Sequence, residues 1–124
     1  MLRPMAVLPL VTVLFVTPRP GIAADAAAGQ AIFNRCKICH SLDAGKNNVG
    51  PSLHGIFGRK AGTAPQFAYS AAMKDAGIVW GDETLAKYLR DPKAVVPGGK
   101  MAFPGLKDDT QIADLLAYLH QAAQ

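Results

Sequence analysis

The 124-residue sequence is poor in cysteine and in histidine. Its two cysteines are Cys36 and Cys39, and its three histidines are His40, His54 and His120. A structural zinc site needs four ligands at characteristic spacings, and neither His54 nor His120 falls at finger spacing from the cysteine pair. The composition therefore argues against a structural zinc site.

Long apolar runs are also scarce, and the one at the N-terminus is short. A positively charged start, residues 1–3, precedes an almost wholly apolar run over residues 5–16, and small residues gather at 21–24. This order is typical of a secretory signal peptide. Cleavage after Ala23, Ala24 or Ala26 fits the pattern, and Ala24 is favoured, which predicts a signal peptide over 1–24 and one domain over 25–124. A retained anchor is the alternative, but the run is too short to span a bilayer.

Charge is modest. Of 13 basic residues, Arg3 and Arg19 lie in the predicted signal peptide, so 11 basic residues face 9 acidic ones in the domain, a balance of +2. Such a balance, without clusters of Lys and Arg, excludes a typical nucleic-acid-binding protein. The sequence also lacks a Gly-x-Ser-x-Gly elbow, a phosphate loop and a dinucleotide fingerprint. No enzyme activity is predicted.

The sequence does contain Cys36-Lys37-Ile38-Cys39-His40, the C-x-x-C-H pattern of covalent c-type haem attachment. Two thiols three positions apart lie on one side of a helical turn, where each can add to a haem vinyl group, and the histidine supplies a nitrogen ligand to the iron. A thioredoxin-type dithiol would need an α/β context that is missing here. A structural disulfide would leave His40 without a role. The motif predicts one covalent haem c.

The second face of the iron needs a ligand or stays open. Met101 is the best candidate, because prolines and glycines between Pro97 and Gly105 fix a non-helical path that can aim a thioether inward. Two alternatives remain. An open sixth position would indicate a peroxidase-like or gas-binding protein, and ligation by two histidines would use His54 or His120.

Most of the sequence signals in the domain indicate helices. Asp25 can cap a helix that runs to the haem motif. Residues 70–76 and 82–90 suit short helices, and Pro92 should end the second of these. Asp108 and Gln111 are spaced as a capping box before a final helix. Residues 41–62 are rich in glycine and predict a long loop, which is unusual in a small domain unless it wraps a ligand. The predicted fold class is all-α.

The chain from about residue 25 onward resembles a small class I c-type cytochrome, of the bacterial cytochrome c2 and mitochondrial cytochrome c kind. The resemblance is carried by the haem motif and by five further segments: Gly50-Pro51-Ser52-Leu53-His54-Gly55-Ile56-Phe57-Gly58-Arg59, Trp80, Tyr88-Leu89 before Pro92, Pro97-Gly98-Gly99-Lys100-Met101, and the C-terminal Leu-Leu-Ala-Tyr-Leu run. It implies a cytochrome c fold, in which N- and C-terminal helices cross and short helices and long loops surround one haem.

The resemblance also implies roles for individual residues. Cys36 and Cys39 would form the thioether bonds, and His40 and Met101 would be the axial ligands. The Pro51 carbonyl would accept a hydrogen bond from His40, and Tyr88 would bond near the Met101 sulfur. The haem propionates would be held by Arg59, Tyr69 and Trp80, and Phe103 would lie at the exposed haem edge. Gly29 and Phe33 would pack against Leu115 and Tyr118 where the terminal helices cross.

The implied function is that of a soluble, monomeric carrier of single electrons in the bacterial periplasm, without stable membrane insertion. Basic residues around the haem edge would dock acidic redox partners: Arg35, Lys37, Lys93, Lys100 and Lys107. The donor would be a bc1-type complex or a dehydrogenase, and the acceptor an oxidase or a photosynthetic reaction centre.

Overall fold

The computed structural model describes residues 12–15 and 23–124. Most of the predicted signal peptide lies outside these residues. In the described part of the chain there are five helices and no strand, apart from an isolated antiparallel bridge between Lys60 and Val79. The helices are α1 Ala26–Phe33, α2 Ala71–Lys74, α3 Asp82–Arg90, α4 Pro92–Val95 and α5 Asp109–Ala122. The all-α prediction is confirmed.

The first and last helices cross at close range, as predicted. Asp25 caps α1, its carboxylate accepting hydrogen bonds from the N–H groups of Ala27 at 2.9 Å and Ala28 at 3.2 Å. Gly29 permits the crossing, because a Cβ atom there would collide with the Asp114 carbonyl oxygen of α5. One turn later the rings of Phe33 and Tyr118 pack at 5.5 Å between centroids.

The short helices differ in part from the prediction. Ser70 is the N-cap of α2, accepting a bond from the Met73 N–H at 3.1 Å, so the helix is shorter than 70–76. It ends early because the chain tightens into a turn, with the Ala76 N–H bonded to the Met73 carbonyl, before Gly77 takes a left-handed φ of 68°.

The sequence predicted that Pro92 ends α3, and this prediction is correct but incomplete. The helix does end at Arg90, but Pro92 also begins α4, because proline is well suited to a first helical position, where no N–H donor is needed. Asp91 caps this turn through the Ala94 N–H at 3.2 Å.

The capping box of α5 is only half formed among the described residues. Asp108 accepts from the N–H groups of Thr110 at 2.8 Å and Gln111 at 3.1 Å, but the Gln111 side chain is solvent-exposed and makes no return bond. One half suffices to begin the helix.

The long stretch before α2 is irregular, as predicted, and is cross-linked by side chains. Asn47 donates to the Pro65 carbonyl and accepts from the Ser52 N–H, both at 2.9 Å. The Ser52 hydroxyl donates to the Asp43 carbonyl at 2.6 Å. These bonds fix a loop that covers one side of a large cavity, whose other walls come from the helices.

Within the described residues, no helix has the length and apolar character needed to cross a membrane.

Candidate cofactor-binding site

A cavity of about 540 Å³ lies inside the shell of helices and loops. All ten site residues predicted from the sequence line it: Cys36, Cys39, His40, Pro51, Arg59, Tyr69, Trp80, Tyr88, Met101 and Phe103. Most of the remaining lining is apolar and includes Leu53, Ile56, Leu85 and Leu115. The fold therefore brings residues from almost the whole domain to one chamber.

The haem motif continues the chain from α1 as a further turn. The Cys36 N–H bonds to the Phe33 carbonyl at 2.8 Å, and the His40 N–H bonds to the Cys36 carbonyl at 2.9 Å. Because the turn stays tight, both thiols and the imidazole reach the same cavity. Cys36 and Cys39 are half-buried and unpaired with each other, and burial raises the pKa of the Cys36 thiol.

The imidazole of His40 is held in one tautomer. Its Nδ1 donates to the Pro51 carbonyl at 2.7 Å, which leaves the lone pair on Nε2 free. Burial lowers the pKa of His40, partly opposed by this hydrogen bond, and Arg59 lowers it slightly further. The ring is therefore neutral near pH 7, the form that a metal ion requires.

Met101 lies half-buried on the loop between α4 and α5. The hydroxyl of Tyr88 donates to its sulfur at 3.9 Å, and burial raises the pKa of Tyr88, so this group remains a protonated donor. The Tyr88 ring packs on Trp80 at 5.0 Å between centroids. A thioether that accepts one weak hydrogen bond still has a lone pair available.

A cation without a carboxylate partner lies at one edge of the cavity. The Arg59 guanidinium donates to the carbonyls of Ser52 at 3.0 Å and His54 at 3.1 Å, and within residues 23–124 it forms no ion pair with Asp or Glu. The Tyr69 hydroxyl, which also lines the cavity, accepts from the Ala64 N–H at 3.0 Å. A half-buried cation of this kind favours an anionic group beside it.

The other two histidines lie away from the cavity. His54 is exposed, and the Nε2 atom of His120 is 2.7 Å from the Asp82 carboxylate while its ring stacks on Phe57 at 3.7 Å between centroids. Among the described residues, no cluster of three or more His, Cys, Asp or Glu side chains could hold a metal ion by itself.

Two features of the cavity were missed by the sequence reasoning. One is Met73, which lines the cavity from α2 while it also packs against the hydrophobic core. The guanidinium of Arg35 lies 5.4 Å from the centroid of the Phe103 ring. No local signal in the sequence predicts that contact.

The residues present fit a covalently attached haem. Two thiols at attachment spacing, a neutral imidazole with a free lone pair, a thioether and an unpaired cation all line one large, mainly apolar cavity. In a protein of this size, an apolar chamber of 540 Å³ is far larger than ordinary packing defects. The chamber is large enough to hold a sizeable, mainly apolar ligand.

Comparisons with known proteins agree with this fit. The sequence profile of the cytochrome c family matches residues 26–123. Cytochrome c2 of Blastochloris viridis is 50% identical over 110 residues, covering 88% of this chain and 87% of that protein. Cytochrome c-550 of Bradyrhizobium diazoefficiens is 50% identical over 97 residues, or 77% of this chain and 71% of that protein. The solved structure of cytochrome cH from Methylobacterium extorquens superposes with a TM-score of 0.74 at 46% identity, covering 79% of this chain and 99% of that one.

Proposed function

The chain belongs to the cytochrome c family, and from that membership we propose that it carries single electrons on an iron ligated by His40 and Met101. It binds one covalent haem c and is an electron-carrier cytochrome, not an enzyme. The bound haem supplies an iron that alternates between ferrous and ferric states. Ligation by both residues leaves no position for a substrate.

The two proposed ligands are held by different means. His40 is oriented by the bond from its Nδ1 to the Pro51 carbonyl, which aims Nε2 into the cavity and increases its basicity. Met101 offers a neutral thioether in apolar surroundings, an arrangement that favours the ferrous state and raises the reduction potential. Arg59 and Tyr69 would bind the propionates, and Cys36 and Cys39 would form the thioether bonds.

The observation that supports this proposal best is that Met101 lines the same cavity as His40, with Tyr88 directed at its sulfur. Neither His54 nor His120 lines that cavity. Both the open-site alternative and ligation by two histidines are therefore less well supported than ligation by His40 and Met101.

Replacement of Met101 by Ala tests the ligation. The wild-type ferric protein should show the methionine-to-iron absorption band at the red end of its spectrum, and the ferrous protein should not bind carbon monoxide promptly at neutral pH. Met101→Ala should lose the band and bind carbon monoxide, because the sixth position is then open. Met73→Leu is the matched control and should retain the band. Prompt binding by the wild type would establish the open-site alternative.

We infer that electrons cross at the mouth of the cavity, whose lining includes Arg35, Val49, Lys100 and Phe103. Val49 is 79% exposed and neighbouring Ile38 is 77% exposed, so the surface around the mouth is mixed apolar and basic. Such a surface suits a small, transient contact with an acidic redox partner. The donor would be a bc1-type complex or a dehydrogenase, and the acceptor an oxidase or a reaction centre.

Salt should weaken this docking only modestly. The domain carries a balance of only +2, and Lys107 does not line the cavity but donates to the Arg90 carbonyl. We therefore expect the second-order rate constant with a purified redox partner to fall gently as ionic strength rises, in stopped-flow measurements. A steep fall would contradict the proposal.

We also propose that residues 1–24 are removed and that the mature protein lies in the periplasm. The charged, apolar and small-residue order of the N-terminus supports export. The intact mass of protein recovered from the periplasm should equal residues 25–124 plus one haem. A mass that includes residues 1–24 would indicate a retained anchor.

A further inference from the structure

The loop that carries Met101 is weakly attached through its backbone. In the part of the chain from 23 to 124, residues 100–105 neither donate nor accept a main-chain hydrogen bond. The nearest such bonds lie at the two ends of the segment, from the Gly99 N–H to the Val96 carbonyl at 3.0 Å and from the Leu106 N–H to the Leu89 carbonyl at 2.8 Å. Side chains must therefore hold the segment closed.

The downstream end of this loop is held against α3. Leu106 is only 2% exposed, and Gly105 lies so close to α3 that a Cβ atom there would collide with the Arg90 carbonyl. Arg90 also donates to the Lys107 carbonyl at 3.2 Å. These contacts fix residues 105–107 but leave the stretch around Met101 dependent on other groups.

Met101 and Phe103 pack against the hydrophobic core, and two further side-chain contacts reach into that stretch. From inside the cavity, Tyr88 donates to the Met101 sulfur at 3.9 Å, a long and weak bond. From the segment just before Cys36, Arg35 lies 5.4 Å from the centroid of the Phe103 ring, within the range of a cation–π interaction. Arg35 directly precedes Cys36, so this contact joins the haem-attachment segment to the Met101 loop.

We propose that the contact between Arg35 and Phe103 is a clasp across the mouth of the cavity, and that Arg35 is a positioning residue for Met101. It acts through Phe103, two residues beyond the proposed ligand. With the clasp closed, the loop keeps the thioether in place; with it broken, the loop opens more often. This inference rests on the proposed ligation by Met101.

Arg35→Gln tests the clasp in the ferric holoprotein, with Lys37→Gln as the matched control. Both substitutions remove one exposed basic group beside the attachment cysteines, but Lys37 has no described contact with an aromatic ring. The readout is the affinity for added imidazole, a neutral ligand that can reach the iron only when Met101 has left it. An exposed cation–π contact corresponds to a change of about two- to fivefold in such an equilibrium.

We expect imidazole to bind about two- to fivefold more tightly to Arg35→Gln than to wild type, and Lys37→Gln to match wild type. In a Phe103→Leu background, adding Arg35→Gln should change nothing further, since the partner ring is already absent. The proposal is overturned if Arg35→Gln and Lys37→Gln behave alike, or if the Arg35→Gln effect persists without Phe103.

Failure of the clasp can be distinguished from failure of the proposed ligation. If Met101 does not bind the iron, wild type will take up imidazole at once, while nuclear Overhauser effects between the Arg35 δ protons and the Phe103 ring still report the contact. If the ligation is correct but the clasp is not, wild type will bind imidazole slowly, the Overhauser effects will be absent and the Arg35 variant will match its control.

Discussion

Tyr88 combines packing and chemistry in a single side chain. Its ring is 8% exposed and packs on Trp80, while its hydroxyl points at the Met101 sulfur. Burial favours the neutral phenol and raises the pKa of Tyr88. The folded protein therefore holds this proton more tightly than the unfolded chain, where a tyrosine titrates near about pH 10.

This difference predicts how the stability of a Tyr88→Phe variant compares with wild type as pH rises. Below about pH 10 both states keep the proton, so the Tyr88 contribution is fully present. Above that value the unfolded state loses the proton first, and wild type should lose stability relative to Tyr88→Phe by up to about 1.4 kcal/mol per pH unit. Urea unfolding on both sides of this range measures the difference. Tyr118→Phe, whose ring packs on Phe33 outside the cavity, is the control, and an identical pH profile in both variants would contradict the argument.

At the scale of single residues, the sequence indicated the cavity-lining cysteines, His40 and Met101 better than the contacts around them. The C-x-x-C-H spacing fixes the chemistry of three residues at once, so their placement follows from local geometry. The contact of Arg35 with Phe103 depends on how two distant segments meet across the cavity. Met73 lacked a distinguishing signal, because an isolated methionine in a helix is ordinarily core.

At the scale of elements, the crossing of α1 and α5 joins the two ends of the domain. Asp114 of α5 is 8% exposed, and its carboxylate accepts from the Asp25 N–H at 2.7 Å beside the glycine that lets the helices approach. Apolar periodicity predicted α5 well because its buried face repeats at helical spacing. The ends of α2 were predicted less well, and α4 was not predicted. Both helices have four residues, and in so short a helix a single backbone hydrogen bond decides where the helix begins or ends.

Gly29→Ala should separate the crossing helices. The added methyl group would collide with the main-chain carbonyl of Asp114, which cannot turn aside as a flexible side chain could. We expect the free energy of unfolding of the holoprotein to fall by about 2–3 kcal/mol or more. Gln30→Ala, on the exposed face of the same helix, should change it by less than about 0.5 kcal/mol. Equal urea midpoints for the two variants would show that the crossing can relax.

At the scale of the whole molecule, the cofactor is part of the core. Filling a chamber of 540 Å³ with haem replaces apolar contacts that the chain cannot make alone. Without haem these apolar walls would face a void or water, and either arrangement destabilises the fold. A domain of about 100 residues has only about 5–15 kcal/mol of stability in total.

The double variant Cys36→Ser, Cys39→Ser should therefore not hold its native fold when produced without haem. The helices described here are too short to persist alone, the longest of them being the 14 residues of α5. We expect loss of most of the far-ultraviolet helical circular dichroism and poor dispersion of amide resonances, compared with the haem-loaded wild type. Cooperative thermal unfolding of the haem-free variant would contradict this expectation.

The docking of α1 on α5 also constrains how the protein is made. Synthesis proceeds from the N-terminus, so the attachment cysteines, just after α1, are made well before the residues of α5 that will cover that helix. Until the final segment is made, α1 lacks the helix against which it packs, so the segment that carries the two thiols is less constrained than in the folded protein. The order of synthesis thus leaves time for haem to be attached before the crossing of the terminal helices is complete.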